Sequence, residues 1–337
     1  MQIGVDASGD FAMGDGFEPT VTAAAIASPA TFAEIADWTA DALERWSLDR
    51  KLSELHAKEL FADKVREVCE MLSQRDDLRL AAVVTDSQLL RSSAAVARHR
   101  ERQREVATNT SATTQDGARR RDAVLTLLDD PKFRGAAYAF GATLPMLVVL
   151  ALQQSFGYFC GSTYREEMAS IRLLVDQEPA RTVEYTSDTL LPTIGGDERF
   201  SLTVPDEWRE PPIHPLLLRA GNPDGDGLRP QGLVSRTAFV ESKHHTCIQV
   251  ADIAASVVRR RIADTTNPND RENFELLQPL LAGAKIAFGV RPIGYGVEPH
   301  VEGRADDRLV RLGERGKRIH FRGCELIENQ LLIDRLL

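Results

Sequence analysis

An α/β fold is the expectation from this sequence, on three observations. Short apolar or alternating stretches at 3–5, 20–27, 78–84, 171–175 and 234–240 read as strands. Longer stretches with apolar residues three and four apart, such as 31–46 and 248–262, read as helices lying between them in the chain. Segments rich in proline and glycine, above all 190–230, interrupt the periodic ones. The 337 residues exceed an average single domain, and one core carrying an insertion accounts for that length. A hydrophobic content of 43% with 6% aromatic supplies enough apolar side chain to bury such a core.

Taken in order, Ile3 and Val5 alternate with Gly4 and Asp6 ahead of Ser8-Gly9-Asp10, a short strand running into a turn. Thr, Val and Ala dominate 20–27, a second strand. Phe32, Ile35, Ala36, Leu43 and Trp46 make 31–46 a helix, and 55–72 carries a similar spacing. The mostly apolar stretch 78–84 leads to Asp86 as a buried strand. From 87 to 167 the reading is almost wholly helical, with a polar loop near 108–117; within it 136–156 is apolar but holds Pro145, Gln153 and Gln154, which fits a buried helix better than a membrane span. Strands are expected again at 171–175, ending in Asp176, and at 234–240, followed by the helix 248–262. Beyond 265 strands at 285–290 and 318–321 and a helix at 325–337 are expected.

The formal net charge of −9 excludes nucleic-acid binding by gross positive charge, so any such surface must be local. Cys69, Cys160, Cys247 and Cys324 stand far apart without CxxC spacing, which suggests neither a zinc site nor a disulfide framework and fits a reducing cytoplasm. The opening residues lack the basic and apolar segments of a signal peptide.

Chemistry-bearing residues are acids at suggestive places. Asp6 lies between a strand and a glycine turn, with only Gly4 beside it on its face, so open space for a metal and a phosphate is expected there; a turn-forming Asp is the plainer alternative. Glu54 and His56 are two apart and can act together only if their segment is extended rather than helical. Asp86 and Asp176 each end an apolar strand, where ligands bind in α/β sheets and where Asp also caps helices. In the late helix, Ile248, Ala251, Ala255, Val258 and Ile262 form an apolar stripe beside a polar one of Gln249, Asp252, Ser256 and Arg259. Alanines 251, 254 and 255 would let that helix press on a sheet and carry Asp252 toward the strand ends; an Asp paired with an arginine is the alternative. Several carboxylates gathered from distant parts of the chain would suit Mg2+ or Mn2+, which prefer oxygen ligands and would offset the mutual repulsion of the acids.

The pattern resembles a bacterial family known as domain of unknown function 3800. Three places carry the resemblance: Asp-x-Ser-Gly-Asp (Asp6, Ser8, Gly9, Asp10), Glu-x-His (Glu54, His56), and Ser-Lys ahead of Ile-Gln-x-Ala-Asp (Ser242, Lys243, Ile248, Gln249, Ala251, Asp252). It implies a ribonuclease H-like mixed sheet flanked by helices and a metal-dependent nuclease site that cuts RNA or DNA. Members occur among mobile-element and phage-defence genes, which implies a defence-system protein partner as well. Carried over residue by residue, Asp6, Glu54 and Asp252 become the metal ligands and catalytic acids, and His56 a catalytic residue that positions a phosphate or shuttles a proton. Asp86 and Asp176 both stay open as the remaining ligand, with Ser8, Asp10, Lys58, Ser242, Lys243 and Gln249 in support. Ala7 stands where the usual opening has a glutamate, which removes one carboxylate. The expected division is a core in two parts, 1–86 and 168–265, a helical insertion at 87–167, and an extension at 266–337 packed on the core.

Basic residues of the insertion, Arg98, Arg102, Arg119 and Arg120, are candidates for holding a nucleic-acid backbone, although Glu101, Glu105 and Asp122 are interleaved with them. Arg259, Arg260 and Arg261 end the late helix, where cations suit the dipole without any ligand. Two functional classes follow: a metal-dependent nuclease, or a ribonuclease H-like binding or scaffolding protein without hydrolysis, which Ala7 favours.

Overall fold

A computed structural model describes residues 1–9, 19–46, 54–86, 170–177, 234–263 and 266–281, together with parts of the chain between 97 and 168. Its centre is a mixed five-stranded sheet in the order β3-β2-β1-β4-β5. The strands are β1 (Gln2–Ser8), β2 (Pro19–Ala27), β3 (Leu78–Asp86), β4 (Ile171–Asp176) and β5 (Val234–Val240). β1 pairs antiparallel with β2 and β2 antiparallel with β3, whereas β4 runs parallel to β1 and β5 parallel to β4. Parallel neighbours cannot be joined by tight turns.

Local chemistry sets the helix boundaries. In α1 (Pro29–Trp46), Ser28 Oγ accepts from the Thr31 N–H at 3.0 Å, and Pro29 occupies the first helical position, where its missing donor costs nothing. α2 (Ala62–Ser73) begins later than its apolar spacing predicts: the expected helix over 55–72 is replaced at 54–61 by a turn. The reason is tertiary, because the N–H groups of Leu55 and Ala57 are taken by side chains of a distant helix. α3 (Gln115–Asp129) and the single turn α4 (Arg165–Met168) lie in the expected insertion, and the helical residues Leu144, Leu147, Val148, Leu150, Ala151 and Leu152 are buried there, as a core helix requires. α5 (Thr246–Ala263) spans the expected late helix. α6 (Pro268–Leu277) was not foreseen, although Asn267 caps it by accepting from the Asn269 N–H at 3.0 Å with Pro268 following.

One face of the sheet, formed by Val21, Ala23, Ala25 and Ala27 of β2, Leu78, Leu80 and Ala82 of β3 and Leu174 of β4, packs against α1, α2, α5 and α6 in a single apolar cluster. The opposite face, with Ile3, Val5, Ala24, Ile26, Leu173 and Val175, is buried as well. Residues 268–281 also pack here: Phe274 and Leu277 join the cluster, and the Leu280 carbonyl accepts from the Leu80 N–H of β3 at 2.9 Å. No helix among the described residues is long and apolar enough to cross a membrane. The strands expected at 285–290 and 318–321 and the helix expected at 325–337 lie outside the described residues.

Gly4 decides how closely α5 approaches. A Cβ placed there would lie 2.3 Å from the Cys247 carbonyl carbon and 2.4 Å from its oxygen. The first turn of α5 thus rests on the bare backbone of β1, and the small residues Ala251, Ala254 and Ala255 keep the helix buried along its course. The space over Gly4 is filled by this helix, so Gly4 itself leaves no room for a ligand there.

Candidate carboxylate site

Asp6 lies within β1, opposite Ala23, and the strand continues to Ser8 before Gly9 turns the chain with φ of 110°. A turn-forming role for Asp6 is therefore excluded. Residues directly opposite in a sheet share a face, so Asp6, paired with Ala23, and Gly4, paired with Ala25, lie on the α5 side. Asp6 is 9% exposed, and its Oδ1 accepts from the Ala7 N–H at 2.6 Å.

The two strand-end acids, left open by sequence, differ in position. The parallel register runs to Val5 beside Val175, and one further step sets Asp6 beside Asp176 at about 5 Å between backbones. Asp176 is two residues beyond Leu174 and so lies on the α5 face too. Asp86 ends β3 two strands from β1, and it stands four residues beyond Ala82, the residue level with Ala23 and Asp6. At about 3.3 Å per residue and 4.8 Å per strand, its backbone is roughly 16 Å from that of Asp6. The Asp86 side chain lies outside the described residues, and the register favours Asp176.

The turn containing Glu54 and His56 is held by one stripe of α5. Gln249 Oε1 accepts from the Leu55 N–H at 3.2 Å, Asp252 Oδ2 accepts from the Ala57 N–H at 2.8 Å, and Arg260 Nη2 donates to the Ala57 carbonyl at 2.8 Å. Residues 249, 252 and 260 fall on the same side of a helix, which is why a single element can grip successive peptide groups. His56 Nδ1 is 2.9 Å from the same Asp252 oxygen. The segment is not helical, so the condition for Glu54 and His56 to act at one place is met.

A second clamp comes from the short 3-10 turn Ser242–His244 that follows β5. The Ser242 N–H donates to Asp176 Oδ1 at 3.2 Å, its Oγ donates to Glu54 Oε2 at 3.1 Å, and its carbonyl accepts from Gln249 Nε2 at 3.0 Å. Ser242 thereby ties the end of β4, the 54–57 turn and α5 together.

The electrostatics are those of gathered negative charge. Burial pushes the Asp176 carboxyl above its ordinary range; the N–H groups of Ser242 and Gln177 oppose this, and the charges of Asp252 and Glu54 add to it. The hydrogen bond to Asp252 holds the His56 imidazole above its usual value against the opposing effect of burial, with the charges of Asp252, Glu59 and Glu54 adding. Lys243 pairs with Glu241 and also feels Glu54, while Lys58 and His244 are exposed around the site.

A divalent cation is the group these residues call to mind chemically. Their donors are all carboxylate oxygens, the ligand type of Mg2+ and Mn2+, and Asp176 is raised first by burial and then by the charges of Asp252 and Glu54. Convergence is lacking: among the described residues, no group of three or more His, Cys, Asp and Glu side chains is placed so that it could hold a metal ion. Asp252 Oδ2 is occupied by His56 and Ala57, and Glu54 Oε2 by Ser242. The donor set fits a hard cation in kind and would have to draw inward to hold one.

Comparison with protein-family models, with curated proteins and with solved structures finds no match. The case for function therefore rests on the residues themselves.

Other expected residues are distributed as follows. Ser8 is buried in β1; Asp10, Arg98 and Arg102 lie outside the described residues, as does the side chain of Arg120; Arg119 is exposed on α3. Within the same arginine run, Arg100 donates to the carbonyls of Leu128 and Asp130, and Arg104 pairs with Asp129, so these two secure the end of α3. The partner of Asp252 is His56 and not an arginine. Sequence reasoning missed Arg260, which was assigned to the helix dipole; its place four residues after Ser256 on the polar stripe was the available signal.

Proposed function

We propose that this protein is a divalent-metal-dependent nuclease with a ribonuclease H-like core, hydrolysing phosphodiester bonds of RNA or DNA, and that it is related to the domain of unknown function 3800 family. The single observation that carries the reading is the double clamp. Ser242 joins Asp176 to Glu54, and α5 holds the adjoining turn through Gln249 and Asp252, so segments bearing acids from remote parts of the chain are tied together at one end of the sheet. The mixed sheet, with acid-bearing β1 at its centre and α5 across it, supports a ribonuclease H-like arrangement.

Asp6, Glu54, Asp176 and Asp252 are the residues that would hold Mg2+ or Mn2+. When bound, such a cation supplies an acidified water and neutralises phosphate charge. The chain's own contribution is to orient and to exchange protons. Asp252 fixes the His56 ring through Nδ1 and leaves Nε2 as the nitrogen for proton exchange with a substrate. Lys58 and Lys243, exposed beside the acids, supply the local positive charge that the net charge of −9 denies to the surface as a whole. The arginine-bearing insertion is a second backbone contact in this proposal. A cytoplasmic role in phage defence or mobile-element biology, with a protein partner, belongs to the same reading.

The test is incubation of purified protein with labelled RNA, DNA and RNA/DNA hybrid in Mg2+, Mn2+ or chelator, beside Asp6→Asn and Asp252→Asn. Metal-dependent cleavage lost in both variants is expected, and cleavage indifferent to both rejects the site. Two observations favour the second reading, a binding protein without hydrolysis: Ala7 removes a carboxylate, and the Asp252 oxygen already has two donors. A folded protein that binds these nucleic acids and cuts none would establish that reading instead.

A further inference from the structure

Gln249 is 6% exposed and three residues from Asp252, yet it carries no charge and is no candidate ligand for a hard cation among so many carboxylates. Both ends of its amide are used. Oε1 accepts from the Leu55 N–H at 3.2 Å and Nε2 donates to the Ser242 carbonyl at 3.0 Å. Those two partners belong to the residues that set the acids: Leu55 follows Glu54 directly, and Ser242 donates to both Glu54 and Asp176. A buried amide is the side chain suited to this task, since it offers one acceptor and two donors in a fixed plane without adding charge. An aspartate or glutamate would repel the Ser242 carbonyl and add to the negative charge, and a lysine could not accept from Leu55.

We propose that Gln249 is the positioning residue of this site, fixing the 54–57 turn and the Ser242 turn against α5 and thereby the spacing of Glu54, Asp176 and Asp252. It acts through these partners and touches neither cation nor substrate. The inference rests on reading the acids as a cation site, and the test separates the two. The full-length chain is compared with Gln249→Met, which keeps length and apolar volume but loses both hydrogen bonds, with Ser242→Ala, and with Val68→Ala, a buried change in α2, an element that supplies neither an acid nor a clamp residue. Mn2+ binding is followed by electron paramagnetic resonance, and amide hydrogen exchange is measured across 54–60. Gln249→Met is expected to bind Mn2+ about 10-fold more weakly and to exchange faster at Leu55, with Val68→Ala unchanged in both. Ser242→Ala should weaken binding in the same direction, and adding it to Gln249→Met should cost little more, because both act along one path. Affinity for Mn2+ in Gln249→Met within about two-fold of wild type, or a fall matched by Val68→Ala, overturns the proposal. A wild-type chain that takes up no Mn2+ removes the metal reading, and exchange then decides alone: faster exchange at Leu55 in Gln249→Met than in Val68→Ala upholds the positioning role, and equal exchange overturns it.

Discussion

Replacing Gly4 by alanine is the sharpest structural perturbation available. The added Cβ would lie 2.3 Å from the Cys247 carbonyl carbon, 2.4 Å from its oxygen and 2.7 Å from its Cβ. Non-bonded carbons rest at about 3.5–4.0 Å, so the closest contact is short by about 1.2 Å. Two of the three obstructing atoms are helix backbone, which cannot rotate aside as a long side chain would, and Cys247 is itself buried. Either the start of α5 lifts from β1 or β1 bends away, at about 2–3 kcal/mol, the upper part of the range for overpacked cores. For a chain of 337 residues that is a fall in Tm of roughly 3–4 °C. Because α5 carries Gln249 and Asp252, the same shift loosens both clamps, and metal-dependent cleavage should fall by more than the unfolded fraction explains. Denaturant titration beside cleavage under folding conditions measures both. A Gly4→Ala protein within about 0.5 kcal/mol of wild type would refute the close approach of α5 to β1.

Two further outcomes follow from the charges. The raised carboxyl of Asp176 means that the folded chain binds this proton more tightly than the unfolded one, so its ionisation costs stability as pH climbs through the folded value, and the cost is complete above it. Asp176→Asn should therefore raise Tm at neutral pH in chelator and flatten the decline of stability with pH, while abolishing any stabilisation by Mn2+; a lower Tm in chelator would contradict this. For His56 the sign is the same although the group is a base: its raised imidazole contributes stability fully below the unfolded value of 6.5, lost as pH rises through the folded one. A double-mutant cycle of His56→Ala and Asp252→Asn should show stronger coupling at pH about 5.5 than at about 8, and equal coupling would show that the pair is held without charge.

Much of the sheet was legible because its signals are local. Alternation and apolar runs marked β1 to β5 within a few residues, and the alanine-rich α5 was read correctly as pressing on a sheet. Asp176 and Asp86 looked equivalent because each ends an apolar strand; only the strand order separates them, and order is a property of the whole sheet. The late start of α2 could not be read either, since the peptide groups at Leu55 and Ala57 are claimed by Gln249 and Asp252 about 195 residues away. Gly4 was recognised as a gap, but which neighbour would fill it depended on tertiary packing. α6 is the one element whose omission was avoidable: Asn267-Pro268 is a cap followed by a proline at the first helical position.

The claim on which the proposed function depends is that the carboxylates of Asp6, Asp176, Glu54 and Asp252 share one cation. Crystals grown with Mn2+ and measured at a wavelength where manganese scatters anomalously address it directly. A manganese peak within about 2.0–2.4 Å of oxygens from Asp6 and Asp176, with Glu54 or Asp252 drawn in, is the expected result. Manganese bound elsewhere, with Asp6 and Asp252 left in their separate hydrogen bonds, would contradict it.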